Sequence, residues 1–296
     1  MAAVLTPWQA RERFEYASDG DPALSYCLWP YERPAPAQDK HRSLNLLLHS
    51  FELARLPSRA FDIVEALRDG IGPFRTVWGV KRVGGRWAWE FYFYDYARQR
   101  RAVSATRVLQ ALEPLVGCAV PVNERLPYFM FSLDLDAGIA AGTRPLDVVH
   151  LYVGNPGSSV SSGIAYGVRE GGTTLENFYF FFDARTQLDE VRKKLASSAF
   201  LDASTLPLDE VLRPELRDCN TLCVANKQGH DCLYFSGVTV DQLLWFLRWQ
   251  QYPAETIAFV ERERARLDHL LFDVGFDYRM EGGRLVLLKS GYYGVF

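Results

Sequence analysis

The 296-residue sequence has little of what marks several common function classes. A basic excess is missing: 33 Lys and Arg stand against 36 Asp and Glu, which argues against the broad phosphate-backbone footprint of a nucleic-acid binder. Any anion site must therefore be local. No run approaches the roughly 18 apolar residues of a spanning helix, and MAAVLTPWQARERFEYASDG lacks the basic and apolar regions of a secretory signal. The expectation is a cytoplasmic chain without a membrane or nucleic-acid partner. The five cysteines are odd in number, so reduced thiols are expected. Cys219, Cys223, His230 and Cys232 lie close in sequence but lack paired Cys-x-x-Cys knuckles, and no metal site is assigned to them. NPGSSVSSG has no Walker, Rossmann or Gly-x-Ser-x-Gly surroundings and reads as a connection. An Asp-Asp-x-x-Asp motif is absent, and Asp134-Leu-Asp136 is too short to replace it.

What is present is a balanced globular composition, 48% hydrophobic and 23% charged, long enough to bury a large core. Residues 1–43, rich in Pro, Asp, Ser and Ala from residue 17, read as an irregular lead-in that Trp8, Phe14, Tyr26 and Trp29 could pin to a core. Residues 44–296 read as a single domain. Helical spacing over 44–70 breaks at Pro57 and ends at Gly70. FRTVWGVKR and WAWEFYFYDY flank a Gly-Gly turn and make the clearest hairpin, followed by a helix opened by Ser104.

Four more strand pairs follow: YFMFSLDLD with DVVHLYV, SGIAYGVRE with TTLENFYFFFD, TLCVANK with CLYFSGV, and FDVGFDYRM with RLVLLKSGYYGVF. Helices are expected in TQLDEVRKKLASS, in PLDEVLRPELRD, over 240–250, and as one long helix opening at Pro253. Ten antiparallel strands tend to close, because closure removes exposed edges. The fold class is thus α+β: a closed ten-stranded antiparallel β-barrel surrounded by α-helices, in αββα units.

Alternation sorts each strand into two faces. Trp87, Trp89, Phe91 and Phe93 oppose Ala88, Glu90, Tyr92 and Tyr94; Phe129, Phe131, Leu133 and Leu135 oppose Met130, Ser132, Asp134 and Asp136. Val149, Leu151 and Val153 oppose Val148, His150 and Tyr152. Arg75, Val77, Gly79 and Lys81 share one face of the first strand, and Leu285, Leu287, Lys289, Gly291 and Tyr293 one face of the last. An ordinary open sheet would turn the polar faces to solvent. The many tyrosines on those faces fit a partly dry cavity better. His41, His49 and His269 read as structural or solvated, and LLWFLRWQQY as packing on the barrel.

From about residue 59 onward the chain resembles the αββα prenyltransferases, whose helix-jacketed ten-stranded barrel (the PT barrel) holds both substrates, and most closely the cyanobactin-type peptide prenyltransferases. The resemblance rests on His150 in DVVHLYV, Tyr179 in NFYFFF, Lys227 and Tyr234 in ANKQGHDCLYF, and Lys289 and Tyr293 in KSGYYGVF. It implies a transferase that moves an isoprenyl group, dimethylallyl or longer, from its diphosphate to a nucleophilic side chain of a peptide natural product or small molecule. Lys81, His150, Lys227 and Lys289, with Arg75 and Arg169, would bind diphosphate; Tyr152, Tyr179, Tyr234 and Tyr293 would shield the allylic cation. No covalent cofactor is implied, Mg2+ is allowed with the diphosphate, and a monomer is expected. The family carries an acid on its first strand, but FRTVWGVK has none. Glu90 on the next strand is the substitute catalytic residue, with Asp134, Asp273 and Glu176 behind it; a paired or solvated strand carboxylate is the ordinary role for each. The alternatives are a non-catalytic barrel that binds a hydrophobic anion or peptide, and a helix-covered open sheet for protein interaction.

Overall fold

The computed structural model describes residues 14–155, 161–202, 204 and 208–296. Trp8, the core of NPGSSVSSG and Pro207 of PLDEVLRPELRD lie outside them. Ten strands form one closed antiparallel meander: β1 (Thr76–Val83), β2 (Arg86–Tyr94), β3 (Tyr128–Leu135), β4 (Val149–Asn155), β5 (Ser161–Arg169), β6 (Gly172–Asp183), β7 (Thr221–Lys227), β8 (Asp231–Val238), β9 (Phe272–Glu281) and β10 (Arg284–Val295). The barrel closes where β1 pairs β10, with Gly79 opposite Tyr293 and Lys81 opposite Gly291. Closure satisfies every strand edge, and the open-sheet alternative is excluded.

Among the described residues the helices are α1 (Leu44–Leu53), α2 (Arg59–Ile71), α3 (Ala105–Leu112), α4 (Ala137–Ala140), α5 (Leu188–Ala196), α6 (Val240–Trp249), α7 (Ala254–Arg262) and α8 (Arg264–Leu267). Their apolar stripes cover the outward strand faces. Leu47 and Phe51 of α1, Ile63 and Leu67 of α2 and Leu243 and Leu247 of α6 join Trp78, Trp89, Phe91, Phe131, Phe235 and Phe276 in one core outside the barrel. None of the helices is long and apolar enough to cross a membrane.

Local chemistry explains where the elements differ from the sequence pattern. Ser104 caps α3 as expected, its hydroxyl accepting from the Arg107 N–H at 3.1 Å. Helix α2 ends at Gly72 (φ 95°), not Gly70; an added Cβ at Gly70 would collide with Ala111, so that glycine serves the close approach of α2 and α3. The long helix after Pro253 breaks at Glu263 (φ −95°, ψ 8°), whose carboxylate takes hydrogen bonds from His41 and Arg262. PLDEVLRPELRD gives two short 3-10 turns, 208–210 and 214–216, because Pro214 cannot continue a helix. The β3–β4 loop holds the short α4, capped by the Asp136 carboxylate.

Bulges correct the face sorting at three places. One between Tyr128 and Met130 turns Phe129 into the lumen. One at Glu176 separates the pairs Ala165–Asn177 and Tyr166–Leu175. The third, at Leu288, separates Leu285 and Leu287 from the lumen face of Lys289: Leu285 packs on the outer core and Leu287 is exposed.

The two ends of the barrel are unlike. The hairpin turns, including Gly84-Gly85 and Gly282-Gly283 with positive φ throughout, lie together at one end. The β3–β4 loop with the short α4 joins that end, while the longer helical connections lie at the other, where the lead-in crosses the mouth. It is tied down by Arg42 to Asp21 and Glu15, by the Leu271 N–H to the Tyr31 hydroxyl, and by Ser43 to the Val295 carbonyl.

Candidate functional site in the barrel lumen

Alternation carries the inward residues of all ten strands into one lumen, and position along each strand sets the tier in which a residue sits. At the hairpin end, Lys81 of β1 donates to Glu90 Oε2 at 2.9 Å and to Asp134 Oδ1 at 2.5 Å. Glu90 also accepts from the Ser132 hydroxyl at 2.9 Å, and Ser132 lies 3.3 Å from the Tyr152 hydroxyl. His150 sits between two acids, Nδ1 2.6 Å from Glu176 Oε2 and Nε2 3.2 Å from Asp134 Oδ2. Arg169 reaches Glu176 Oε1 at 3.1 Å. Across the lumen Asp277 accepts from Lys227 Nζ at 2.8 Å, with His230 Nε2 2.9 Å away. Lys289 forms no hydrogen bond or ion pair among the described residues.

Burial works against each of these charges, and the partners decide the outcome. The Asp134 and Glu90 carboxylates overcome the desolvation of Lys81 and hold its ammonium above the usual lysine value. In return Lys81 pulls Glu90 below its usual value and Asp134 well below, despite burial. Asp134 is ringed by protein but its side chain is 43% exposed at the open end, so water screens it. His150 is desolvated, yet Asp134 and Glu176 raise it to about 9, so it is an imidazolium at neutral pH. Asp277 is desolvated but held well below the carboxylate range by Lys289 and Lys227. Lys289 lies below the usual lysine value, chiefly through desolvation, with Lys227 and Lys81 adding repulsion.

The middle tier is a tyrosine belt. Tyr152 and Tyr179 have ring centroids 5.6 Å apart, Tyr234 and Tyr293 6.1 Å, and Tyr92 and Tyr293 6.0 Å. Glycine makes the belt fit: a Cβ at Gly79 would meet the Tyr293 ring at 2.5 Å, and one at Gly275 would clash with Tyr234. Desolvation raises all of these phenols well above 10, so they are neutral.

At the mouth lies a narrow crevice lined by Tyr26, Trp29, Met130, Tyr179, Phe181, Cys223, Tyr234 and Asp273 among others. Among the described residues Asp273 has no cation partner; burial raises it to about 7, although the Gly237 N–H donates to Oδ1 at 3.2 Å.

The structure therefore brings Lys81, Glu90, His150, Lys227 and Lys289 to one end and Tyr152, Tyr179, Tyr234 and Tyr293 to the belt beside it. Arg169 reaches only the rim, 45% exposed. Arg75 precedes β1, is exposed, and stands six residues from Lys81, ~20 Å along the strand, toward the opposite end. It does not join the cluster. Cys219 lies in the outer core while Cys223 lines the mouth crevice and Cys232 is buried in β8. Sequence reading missed Asp277, which binds Lys227 and His230; its signal was the period of two that it shares with Asp273. Ser132, Tyr92 and Tyr26 were likewise not singled out as site residues.

No protein-family model matches the chain, and a search of curated proteins finds no significant relative.

Proposed function

We propose that the protein is a prenyltransferase that moves an isoprenyl group, dimethylallyl or longer, from its diphosphate to a nucleophilic side chain of a peptide or small-molecule acceptor. One observation carries this reading: a single lumen is divided into a charged end with cations for a phosphate leaving group and an adjoining belt of neutral tyrosine faces. In such a reaction the bond from the first carbon to the bridging oxygen breaks and diphosphate leaves with the electron pair. The allylic cation is held against aromatic faces that exclude water, and the nucleophile closes a new bond and loses a proton.

Lys289 is the first candidate to meet the diphosphate, because among the described residues it forms no direct hydrogen bond or ion pair, although Asp277 pairs with it across β9 and β10 and is its nearest counter-charge. The His150 imidazolium and Lys81 would add donors once their carboxylates turn aside. Glu90, kept ionised by Lys81 and hydrogen-bonded to Ser132, is the candidate proton acceptor. Among the described residues no three His, Cys, Asp or Glu side chains converge as metal ligands. Glu90 and Asp134 are both engaged by Lys81, so the residues present do not build a cage for Mg2+.

Incubation with dimethylallyl and geranyl diphosphates and a mixed peptide panel, read by mass spectrometry, tests the proposal. A prenyl mass gain is expected; no gain together with no donor binding contradicts it. The neutralised state of Lys81 and Lys227 favours a second reading, a binding barrel for a hydrophobic anion or peptide. That reading predicts donor binding without turnover.

A further inference from the structure

The lead-in does more than cover the mouth. Leu24 and Pro30 form an antiparallel bridge, and between them the Ser25 N–H donates to the Trp29 carbonyl at 2.9 Å and the Leu28 N–H to the Ser25 carbonyl at 2.8 Å. Leu28 takes a left-handed conformation (φ 55°), which is strained for a residue with a side chain and persists where the surroundings enforce it. Those surroundings are specific: the Tyr96 hydroxyl donates to the Cys27 carbonyl at 2.9 Å, and the Tyr26 backbone N–H faces the Asp273 carboxylate.

The turn drives Tyr26 into the barrel. Its ring lies 5.0 Å from Tyr92, 5.4 Å from Tyr293 and 5.9 Å from Tyr94, all edge-on, and is stacked 6.4 Å from Tyr234. Its hydroxyl approaches that of Tyr92, and Tyr152, Tyr293 and Glu90 are its electrostatic neighbours. A phenol on a short peptide turn thus reaches from the mouth into the belt, hydroxyl toward the charged end.

We propose that residues 24–30 occupy the acceptor subsite as an internal stand-in. Tyr26 takes the place of the acceptor side chain, and Asp273 receives the backbone N–H that an acceptor peptide would present. The occupant this site fits is a peptide bearing a planar aromatic side chain, because the rings around Tyr26 offer faces and edges but no ion pair. Asp273 is a positioning residue here. Calling the occupant an acceptor rests on the prenyltransferase reading; the subsite itself does not.

The test uses the full chain without donor, with N-acetyltyrosinamide as probe and N-acetylargininamide as control, read by calorimetry. Tyr26→Ala is expected to bind N-acetyltyrosinamide at least tenfold more tightly than the wild type, Tyr26→Phe no more tightly, and Asp273→Ala added to Tyr26→Ala to lose several-fold. Independently of any variant, saturating N-acetyltyrosinamide should speed amide exchange at Tyr26 and Leu28 in the wild type. Unchanged affinity in folded Tyr26→Ala, unchanged exchange, or an equal gain for N-acetylargininamide overturns the proposal. If the probe binds as expected but neither diphosphate supports transfer, the subsite stands and the prenyltransferase reading falls. If transfer occurs and the probe's KM is the same with and without Tyr26, the reverse holds.

Discussion

Lys81 and Glu90 at the hairpin end and Asp273 at the mouth are buried alike, yet the two ends of the lumen titrate in opposite ways. At the hairpin end each acid has a cation and nearly each cation an acid, so desolvation is overruled and the groups stay charged: Lys81 is raised, Glu90 and Asp134 are lowered, and His150 reaches about 9. At the mouth the described residues supply no counter-charge, so desolvation prevails, the tyrosines stay neutral and Asp273 rises to about 7. Burial alone therefore does not set the charge of a lumen residue. The partner does.

Removing a partner should break the contrast most strongly where the pairing is tightest. Lys81→Ala leaves Glu90, 7% exposed, without its cation, and a loss of about 4 kcal/mol is expected in urea unfolding at pH 7. Adding Glu90→Leu should restore part of it. A smaller effect lies in pH. His150 has a folded-state value of about 9 against 6.5 unfolded, so its contribution is complete below pH 6.5 and lost as pH rises through 9. About 3 kcal/mol should disappear over that window, and His150→Gln should flatten the slope. At the mouth the variant effect runs the other way. Asp273 is raised to about 7 from 3.8, so the wild type loses stability as pH climbs from 4 through 7. Asp273→Asn should be more stable than the wild type at pH 8 by up to about 4 kcal/mol and no more stable at pH 4, measured by thermal and urea unfolding.

The fold was legible because its signals are local and repeated. Alternation in WAWEFYFYDY and the glycine turns between hairpins fix strand, face and turn without tertiary information. The site was legible in its residue types, since Lys81, His150 and the four tyrosines share the inward period. What escaped depends on geometry that a period of two cannot encode. The bulge at Leu288 moves Leu285 and Leu287 off the lumen face, and that at Glu176 re-aims a carboxylate toward His150. Arg75 matched the parity of Lys81 but lies at the wrong end, because parity assigns a face and not a height. Tyr26 sits in an irregular segment whose path is set by long-range contacts to Asp273 and Tyr96.

If the proposed function holds, the charged end, led by Lys289, receives a diphosphate. Calorimetric titration of geranyl diphosphate into the wild type, Lys289→Ala and Arg75→Ala measures it directly. Binding at least tenfold weaker for Lys289→Ala and unchanged for Arg75→Ala is predicted; equal binding by Lys289→Ala and the wild type, or a matching loss in Arg75→Ala, would contradict it.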